Sequence, residues 1–583
     1  MKKSKLAAAI ALLSCYPGAA FSDTVFEEIS VVAQKREQSV QEVGIAITAL
    51  TGDQLEALGF DNAQQVTAMA PGVQTVQPNG EANYSVGIRG VTNSDFTTNV
   101  ESPVALYVDE VYISQMSGAG FSLFDLERVE ILRGPQGTLF GRNATGGLVH
   151  FITRKPTFYQ EGYAKITLGD YNQRKFEGAY SNELTESLAA RLSVNINKAD
   201  GYIDNRYTGD KLNNANDKTV RLQLLYNPAD NVEALFNFRY SDQDIDTGFF
   251  ENVSSIRAGE LTPDEMNPVL GYIDNDGDVY AGDYDDPGFN ELETNGATAT
   301  IKWTISDDVK LVSITDISNV ERTYIEDTDA SPVPLFNFFL TTDAKQISQE
   351  LRLEGSVGEL QWVVGGYYLD LDINDSNGAI SEPFIGGGGT TVEGSEGGLY
   401  SPYISTLTSQ SLFGQIEYPL ATDLTLIAGM RLIQDEKEFD FSVNAVEFLN
   451  PESKPGFADD SNIALQAMLG EYNASRKDTE VASRLQLNWF PVEDILTYVS
   501  WNRGVKGGGY NAPIFPLTPP NYYDDDTLSY DPEQLDAYEI GVKSDVGEYG
   551  RLNVAAYYYD YTDYQIFNII GLDTITINSP DAS

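Results

Sequence analysis

Leu424-Thr425-Leu426-Ile427-Ala428-Gly429-Met430-Arg431-Leu432 sets Leu424, Leu426, Ala428, Met430 and Leu432 against Thr425, Ile427, Gly429 and Arg431. Successive side chains of a strand point to opposite faces, so this alternation predicts a strand whose two faces meet different surroundings. Ala190, Leu192, Val194 and Ile196 alternate with Arg191, Ser193, Asn195 and Asn197 in the same way, and Leu485, Leu487 and Trp489 with Arg484, Gln486 and Asn488. A soluble sandwich alternates too, so the connections decide. Strand pairs are predicted to close through 182–186, 227–231, 306–308, 356–359, 419–423, 491–494 and 546–549. Between these hairpins run long segments at 200–217, 243–293, 327–343, 374–407, 443–476 and 507–533. Short turns at one end and long loops at the other are the asymmetry of an outer-membrane barrel.

Outward from these strands the composition agrees. The first residues carry Lys2, Lys3 and Lys5 and an apolar run from Leu6 to Leu13, too short to span a bilayer and suited to a secretory signal cut before Asp23. A lipidated Cys15 is the alternative, and Leu13 fits it poorly. Beyond residue 22 no stretch offers the run of about 20 apolar residues that a transmembrane helix needs. A closed barrel is the other structure that satisfies every backbone group in lipid. Cys15 is the only cysteine and His150 the only histidine, which excludes a disulfide framework and makes paired-imidazole haem, histidine zinc and Ser/His/Asp sites poor readings. His150 is read as a structural group. A net charge of −50 disfavours nucleic acid and other polyanions. The chain divides into a signal at 1–22, an entry segment at 23–40, a compact mixed domain at 41–156 and the strand-rich part at 162–583.

The entry segment contains Ile29-Ser30-Val31-Val32-Ala33. The compact domain contains Val86-Gly87-Ile88-Arg89-Gly90, then Tyr107-Val108-Asp109-Glu110-Val111-Tyr112, then the run Leu126-Glu127-Arg128-Val129-Glu130-Ile131-Leu132-Arg133-Gly134-Pro135. Gln136 to Gly147 follows, with Gly137, Gly141, Arg142, Gly146 and Gly147. Further on come Trp501-Asn502-Arg503-Gly504 and Tyr538-Glu539-Ile540-Gly541-Val542-Lys543. In this order the motifs resemble the TonB-dependent outer-membrane receptors of the iron-complex type.

The resemblance implies an all-β transmembrane barrel around an N-terminal α+β plug domain, with 22 strands when complete. About fifteen strands are countable by Phe567, so a C-terminally truncated barrel is expected. It places the TonB box at Ile29, Ser30, Val31, Val32 and Ala33; farther along, this chain has Gly44 where the family commonly has proline. It implies a plug–barrel lock in which Arg89 and Arg133 pair with Glu539, or less favourably Glu350. Tyr510, Phe515, Tyr522 and Tyr523 are the candidate ligand-loop residues.

Implied partners are TonB with its inner-membrane energising proteins, outer-membrane lipid and lipopolysaccharide, and a small ligand. The expected protein is a monomeric, multi-pass barrel of the Gram-negative outer membrane. It is expected to be no enzyme, to hold no permanent cofactor, and to import a ferric siderophore. Cobalamin or an oligosaccharide is the alternative cargo, and a passive porin or adhesion barrel the alternative class. Asp274, Asp276 and Asp278 gather carboxylates enough for calcium, but the spacing departs from an EF-hand and a solvated acidic loop is the preferred reading.

Overall fold

The computed structural model describes residues 29–582 except 61, 64, 78–83, 96, 117–122, 249, 253–271, 273, 275–276, 335, 382–395, 450–462, 493, 518, 520, 547–549 and 571–572. The expected signal sequence and Asp276 lie outside the described residues.

The entry segment forms a two-residue hairpin of β1 (Ser30–Val31) and β2 (Gln38–Ser39). The plug follows, with β3 (Ala46–Thr51), helix α1 (Gly52–Leu58), β4 (Val73–Val76), β5 (Ser85–Ile88), β6 (Val104–Val108), β7 (Val111–Ile113), β8 (Leu126–Arg133), helix α2 (Gly137–Phe140) and β9 (Gly147–Thr153). Its main sheet runs β3-β8-β9-β6-β7, with β6 and β9 parallel. Thr51 and Gln54 close a capping box at the start of α1, and Gly59 ends the helix at φ 72°. Val86, Ile88, Val104, Leu106, Val129, Ile131, Val149 and Phe151 make the plug core.

The wall is a sixteen-stranded antiparallel sheet. Its members are β10 (Glu161–Leu168), β11 (Arg174–Thr185), β12 (Leu188–Ala199), β15 (Ala215–Ala229), β16 (Val232–Thr247), β18 (Gly288–Ser306), β19 (Val309–Asp327), β20 (Asn337–Val357), β21 (Leu360–Ser381), β22 (Glu396–Ala421), β23 (Leu424–Phe448), β24 (Ile463–Val492), β25 (Ile495–Lys506), β28 (Glu533–Asp545), β29 (Arg551–Ile570) and β30 (Asp573–Ala582). The missing numbers are short pieces at the long-loop end: β13 (Ile203–Asn205), β14 (Lys211–Leu212), β17 (Ala281–Gly282), β26 (Gly509–Tyr510) and β27 (Ser529–Tyr530). The sixteenth wall strand, β30, lies beyond Phe567, where the sequence count of about fifteen stops. Within the sheet β10 and β30 are the outermost members.

The faces of the wall are inverted relative to a soluble protein. Met430, Leu432, Ile301, Val499, Ile540 and Val554 are exposed on the outside, whereas Arg191, Gln223, Arg431, Gln486 and Lys543 are buried inside. Apolar outward and polar inward is the arrangement that suits lipid, and it sets the soluble sandwich aside. Among the described residues no helix is long and apolar enough to cross a membrane, so crossing falls to the strands. Trp303, Trp362 and Trp489 lie close to the short turns, and no tryptophan precedes Trp303.

Each of the seven short turns overlaps its predicted place, the strands running up to four residues farther into it than predicted. Four of the six long loops, those predicted at 243–293, 327–343, 374–407 and 443–476, are markedly shorter than predicted because their strands continue past the membrane. The segment expected to be loop at 443–476 keeps β23 paired to Phe448 and begins β24 at Ile463. A crossing needs about ten residues, so most of the 30-residue β24 extends beyond the membrane, and from Asn473 to Glu480 it is polar on both faces but for Ala474.

Candidate functional site: the coupling segment, plug and lumen

Local backbone geometry aims the plug's cations. Arg89 and Gly90 both adopt positive φ, at 54° and 83°, in a turn closed by Val91 N–H donating to Ile88 O. Arg89 thereby reaches across the lumen: its Nη1 donates to Glu539 Oε2 at 2.7 Å and to the Tyr559 hydroxyl at 3.0 Å, and its guanidinium lies 3.9 Å from the Tyr557 ring centroid. Burial works to lower the Arg89 pKa, but Tyr559 and Glu539 outweigh it and raise it. Arg133 does not join this pair. It donates instead to Pro71 O and Thr48 Oγ1, both at 3.1 Å, and to Ala46 O at 3.4 Å. Lying at the end of β8, it folds back over β3 while Arg89 occupies Glu539. Glu350 does meet the N-terminal region, but its partner is Lys35 of the entry segment at 3.4 Å, with Arg352 at 2.6 Å.

Two further plug–wall clusters escaped sequence reasoning. Asp125 bonds Ser193 on β12 and takes Arg191 and Arg221 from β12 and β15, with Arg191 Nε at 2.8 Å and Arg221 Nη2 at 3.2 Å. Arg142 lies 2.7 Å from Glu101 and 3.1 Å from Asp435 on β23, and Lys437 donates to Glu101 at 3.0 Å. Burial alone would raise the Glu101 carboxyl; Arg142 and Lys437 more than reverse this and hold it at about 2. The signal for the second cluster was Arg142, already singled out in the motif. Nothing in the sequence marks Asp125 apart from other acids.

The glycines serve close approach. Gly141, at φ 90°, would put a Cβ 2.9 Å from the Arg431 guanidinium, and Gly147, at φ 145°, would put one 2.2 Å from Leu132 O. Gly134 also has positive φ, Gly87 lies in the β4–β5 hairpin, and Gly137 and Gly146 pack within about 3.0 Å of Ala482 and Val104 if given a Cβ.

The entry segment is sequestered in this conformation. Val31 and Ala33 are buried, Val32 N–H donates to Glu130 Oε1 and Oε2 at 3.0 and 3.2 Å, and Lys35 sits between Glu110 and Glu350. Val40 N–H donates to Ile29 O at 3.1 Å, and only two residue pairs join β1 to β2. His150 accepts the Glu110 N–H at Nε2 over 3.0 Å, and burial lowers its pKa to about 3, so it stays neutral. This is the structural role predicted for it.

At the outer end, Tyr510 stacks on Phe439 at 5.2 Å beside Tyr472 and is buried. Phe515 lies 5.8 Å from Phe336, and Tyr523 packs on the same core as Tyr510. Of the four ligand-loop tyrosines and phenylalanine, only Tyr522 stands exposed, at 58%. Asp274 is paired with Arg206 at 2.9 Å, and Asp278 caps the Tyr280 N–H.

Residues 39–148 match the TonB-dependent Receptor Plug Domain, and residues 153–582 match the TonB dependent receptor-like beta-barrel. The chain belongs to the TonB-dependent receptors. Its place is the outer membrane, where that barrel family resides. The receptor is 22% identical to the pesticin receptor of Yersinia enterocolitica over 563 residues, 94% of this chain and 72% of that protein. To the vitamin B12 transporter of Photobacterium profundum it is 27% identical over 208 residues, 35% of this chain and only a third, 33%, of that protein. Among solved structures it resembles the ferric yersiniabactin uptake receptor of Yersinia pestis, with TM-score 0.71 and 18% identity over 90% of this chain and 73% of that one. The ferric preacinetobactin receptor of Acinetobacter baumannii gives TM-score 0.65 and 14% identity over 94% and 75%. These likenesses carry the fold.

Proposed function

We propose that the receptor imports a ferric siderophore across the outer membrane, driven by TonB pulling on the segment Ile29 to Ala33, and that it catalyses no reaction. The observation that carries this reading is the entry segment itself: a hairpin with only two strand pairs, held otherwise by side chains (Glu130 at Val32, Lys35 at Glu110 and Glu350, Arg36 at Glu417, Lys543 at the Val40 carbonyl) and attached directly to a plug that fills a membrane barrel. A short strand so weakly paired is easily transferred to the sheet edge of a partner protein. A passive pore has no use for such a handle, and the plug ties from Arg89, Asp125 and Arg142 to the wall oppose free diffusion. Receptors for ferric chelates among the neighbours support iron as the cargo, and the likeness to a vitamin B12 transporter keeps cobalamin as the second candidate.

The test is energised uptake of radioiron-loaded siderophores by cells carrying the native receptor or Ile29→Pro. Proline removes a strand donor at the handle while leaving the Ile29 carbonyl that accepts from Val40. Uptake is expected to vanish while surface binding persists. Uptake that survives the substitution overturns coupling through this segment.

A further inference from the structure

Two cavities lie on one side of the plug and meet at one residue. The inner one, about 1080 Å³, is lined by Lys35, Asp109, Glu110, Thr300, Lys302 and Lys310, beside the short turns. The outer one, about 140 Å³, is lined by Asp109, Ser241, Thr294, Thr298, Ser318 and Gln346. Asp109 belongs to both. The intervening wall is β16, β18, β19 and β20, whose lumen side here is rich in uncharged hydroxyl and amide groups, with the Arg239–Asp316 pair at 2.9 Å among them.

What separates the cavities is the tip of the β6–β7 hairpin. Asp109 and Glu110 form a two-residue turn with φ of 49° and 69°, a left-handed pair for which Asn-Gly is the favoured sequence. Side chains hold it in that conformation. Asp109 accepts from Thr153 N–H at 2.8 Å, Thr153 Oγ1 at 2.7 Å and Asn237 Nδ2 at 3.3 Å, and His150 accepts the Glu110 N–H. Within the plug the hairpin is lightly held, since β7 is three residues long and forms an edge of its sheet; its other ties run to the wall, where Gln346 Nε2 donates to Tyr112 O at 2.8 Å and Val111 packs on Val312 and Ile314. Firm attachments flank it: Asp125 to β12 and β15 on one side, and α2 packed on β22 to β25 on the other. Glu110 and Glu350 share two cations: Lys35, two residues beyond the pulled segment, at 3.5 and 3.4 Å, and Arg352 of β20 at 2.9 and 2.6 Å.

We propose that cargo crosses between the β6–β7 hairpin and the wall from β16 to β20, and that the Asp109–Glu110 turn is the gate. Withdrawal of Lys35 with the coupling segment leaves Glu110 and Glu350 facing a single guanidinium, Arg352, and this uncompensated charge loosens the tip from the wall, while α2 stays on the opposite wall. The two cavities then become one passage, polar on its wall side and lined on the plug side of the outer cavity by Val111, Ile113, Phe124 and Phe151. This route rests on the import reading above.

Cys15 is the only cysteine, so paired cysteines introduced beyond the signal can be bridged without background. Ser114 Oγ donates to Gln346 Oε1 at 2.6 Å, which makes Ser114→Cys with Gln346→Cys a staple of the hairpin to β20. A Cβ at Gly429 would lie 2.7 Å from Thr138 Cγ2, which makes Thr138→Cys with Gly429→Cys a staple of α2 to β23. Each pair is closed in cells with a short bis-methanethiosulfonate and reopened with reductant. Binding and uptake are followed with radioiron ferrioxamine B, radioiron yersiniabactin and radiolabelled cobalamin.

The first staple is expected to slow uptake about tenfold or more with binding retained, reversibly, because the gate can no longer open. The second is expected to leave uptake at the level of its reduced form. Uptake indifferent to the first staple, or lost equally with the second, overturns the route while the import reading stands. If the reduced chains import none of the probes, the import reading fails and the route falls with it.

Discussion

Arg89 is one of three plug residues, with Asp125 and Arg142, whose ion pairs tie the plug to the wall. Both members of its pair with Glu539 are nearly buried, and truncating one partner of such a pair leaves the other charge uncompensated. Arg89→Ala is therefore expected to weaken plug attachment by about 3 kcal/mol, read as a lower force for plug extraction in single-molecule pulling. An unchanged extraction force would remove Arg89 from the lock. Arg133→Ala is a useful contrast, because its contacts are internal to the plug. At this scale the sequence was legible where a motif fixes a turn: Arg89-Gly90 needs the left-handed backbone that aims the arginine. It was not legible where identity depends on who arrives first. Arg133 and Arg89 look equivalent along the chain, and only the fold shows that one has taken Glu539 and the other is left over β3. Asp125 was invisible for the same reason, since its partners Arg191 and Arg221 are 66 and 96 residues away.

For the elements, hydropathy located the strand ends facing the short turns and missed those facing water. Alternation exists only where one face meets lipid and the other the lumen. Above the membrane both faces are wet, so Glu471, Asn473, Ser475 and Arg476 read as loop although each is paired in the β23–β24 ladder. Backbone hydrogen bonding continues without the apolar pattern that announces it. Amide exchange of the receptor in detergent is expected to be slow through 433–443 despite its charge, as in the apolar half of β23. Fast exchange there would mean that the ladder ends at the membrane surface.

Across the whole molecule, charge is the dominant property. The net charge of −50 is joined at the long-loop end by Asp283, Asp285, Asp286, Asp329, Asp524, Asp525, Asp526 and Asp531. A field of one sign over a binding mouth steers opposite charges in and turns like charges away, over a reach of about 8 Å at physiological salt. Neutral and cationic ferric chelates are therefore the expected cargo. Raising the ionic strength should slow association of a cationic chelate and speed that of an anionic one, measured as on-rates to whole cells. An on-rate that ignores salt for both would show that the loops' charge plays no part in selection.

The position of the tryptophans makes the receptor its own optical probe. Trp303, Trp362 and Trp489 ring the short-turn rim, and the plug contains none. Intrinsic emission therefore reports chiefly on the rim of the barrel at the inner leaflet. Brominated lipid tails should quench it strongly, and a plug that moves should leave its colour unchanged. Any shift in emission when the coupling segment is pulled would come from the wall.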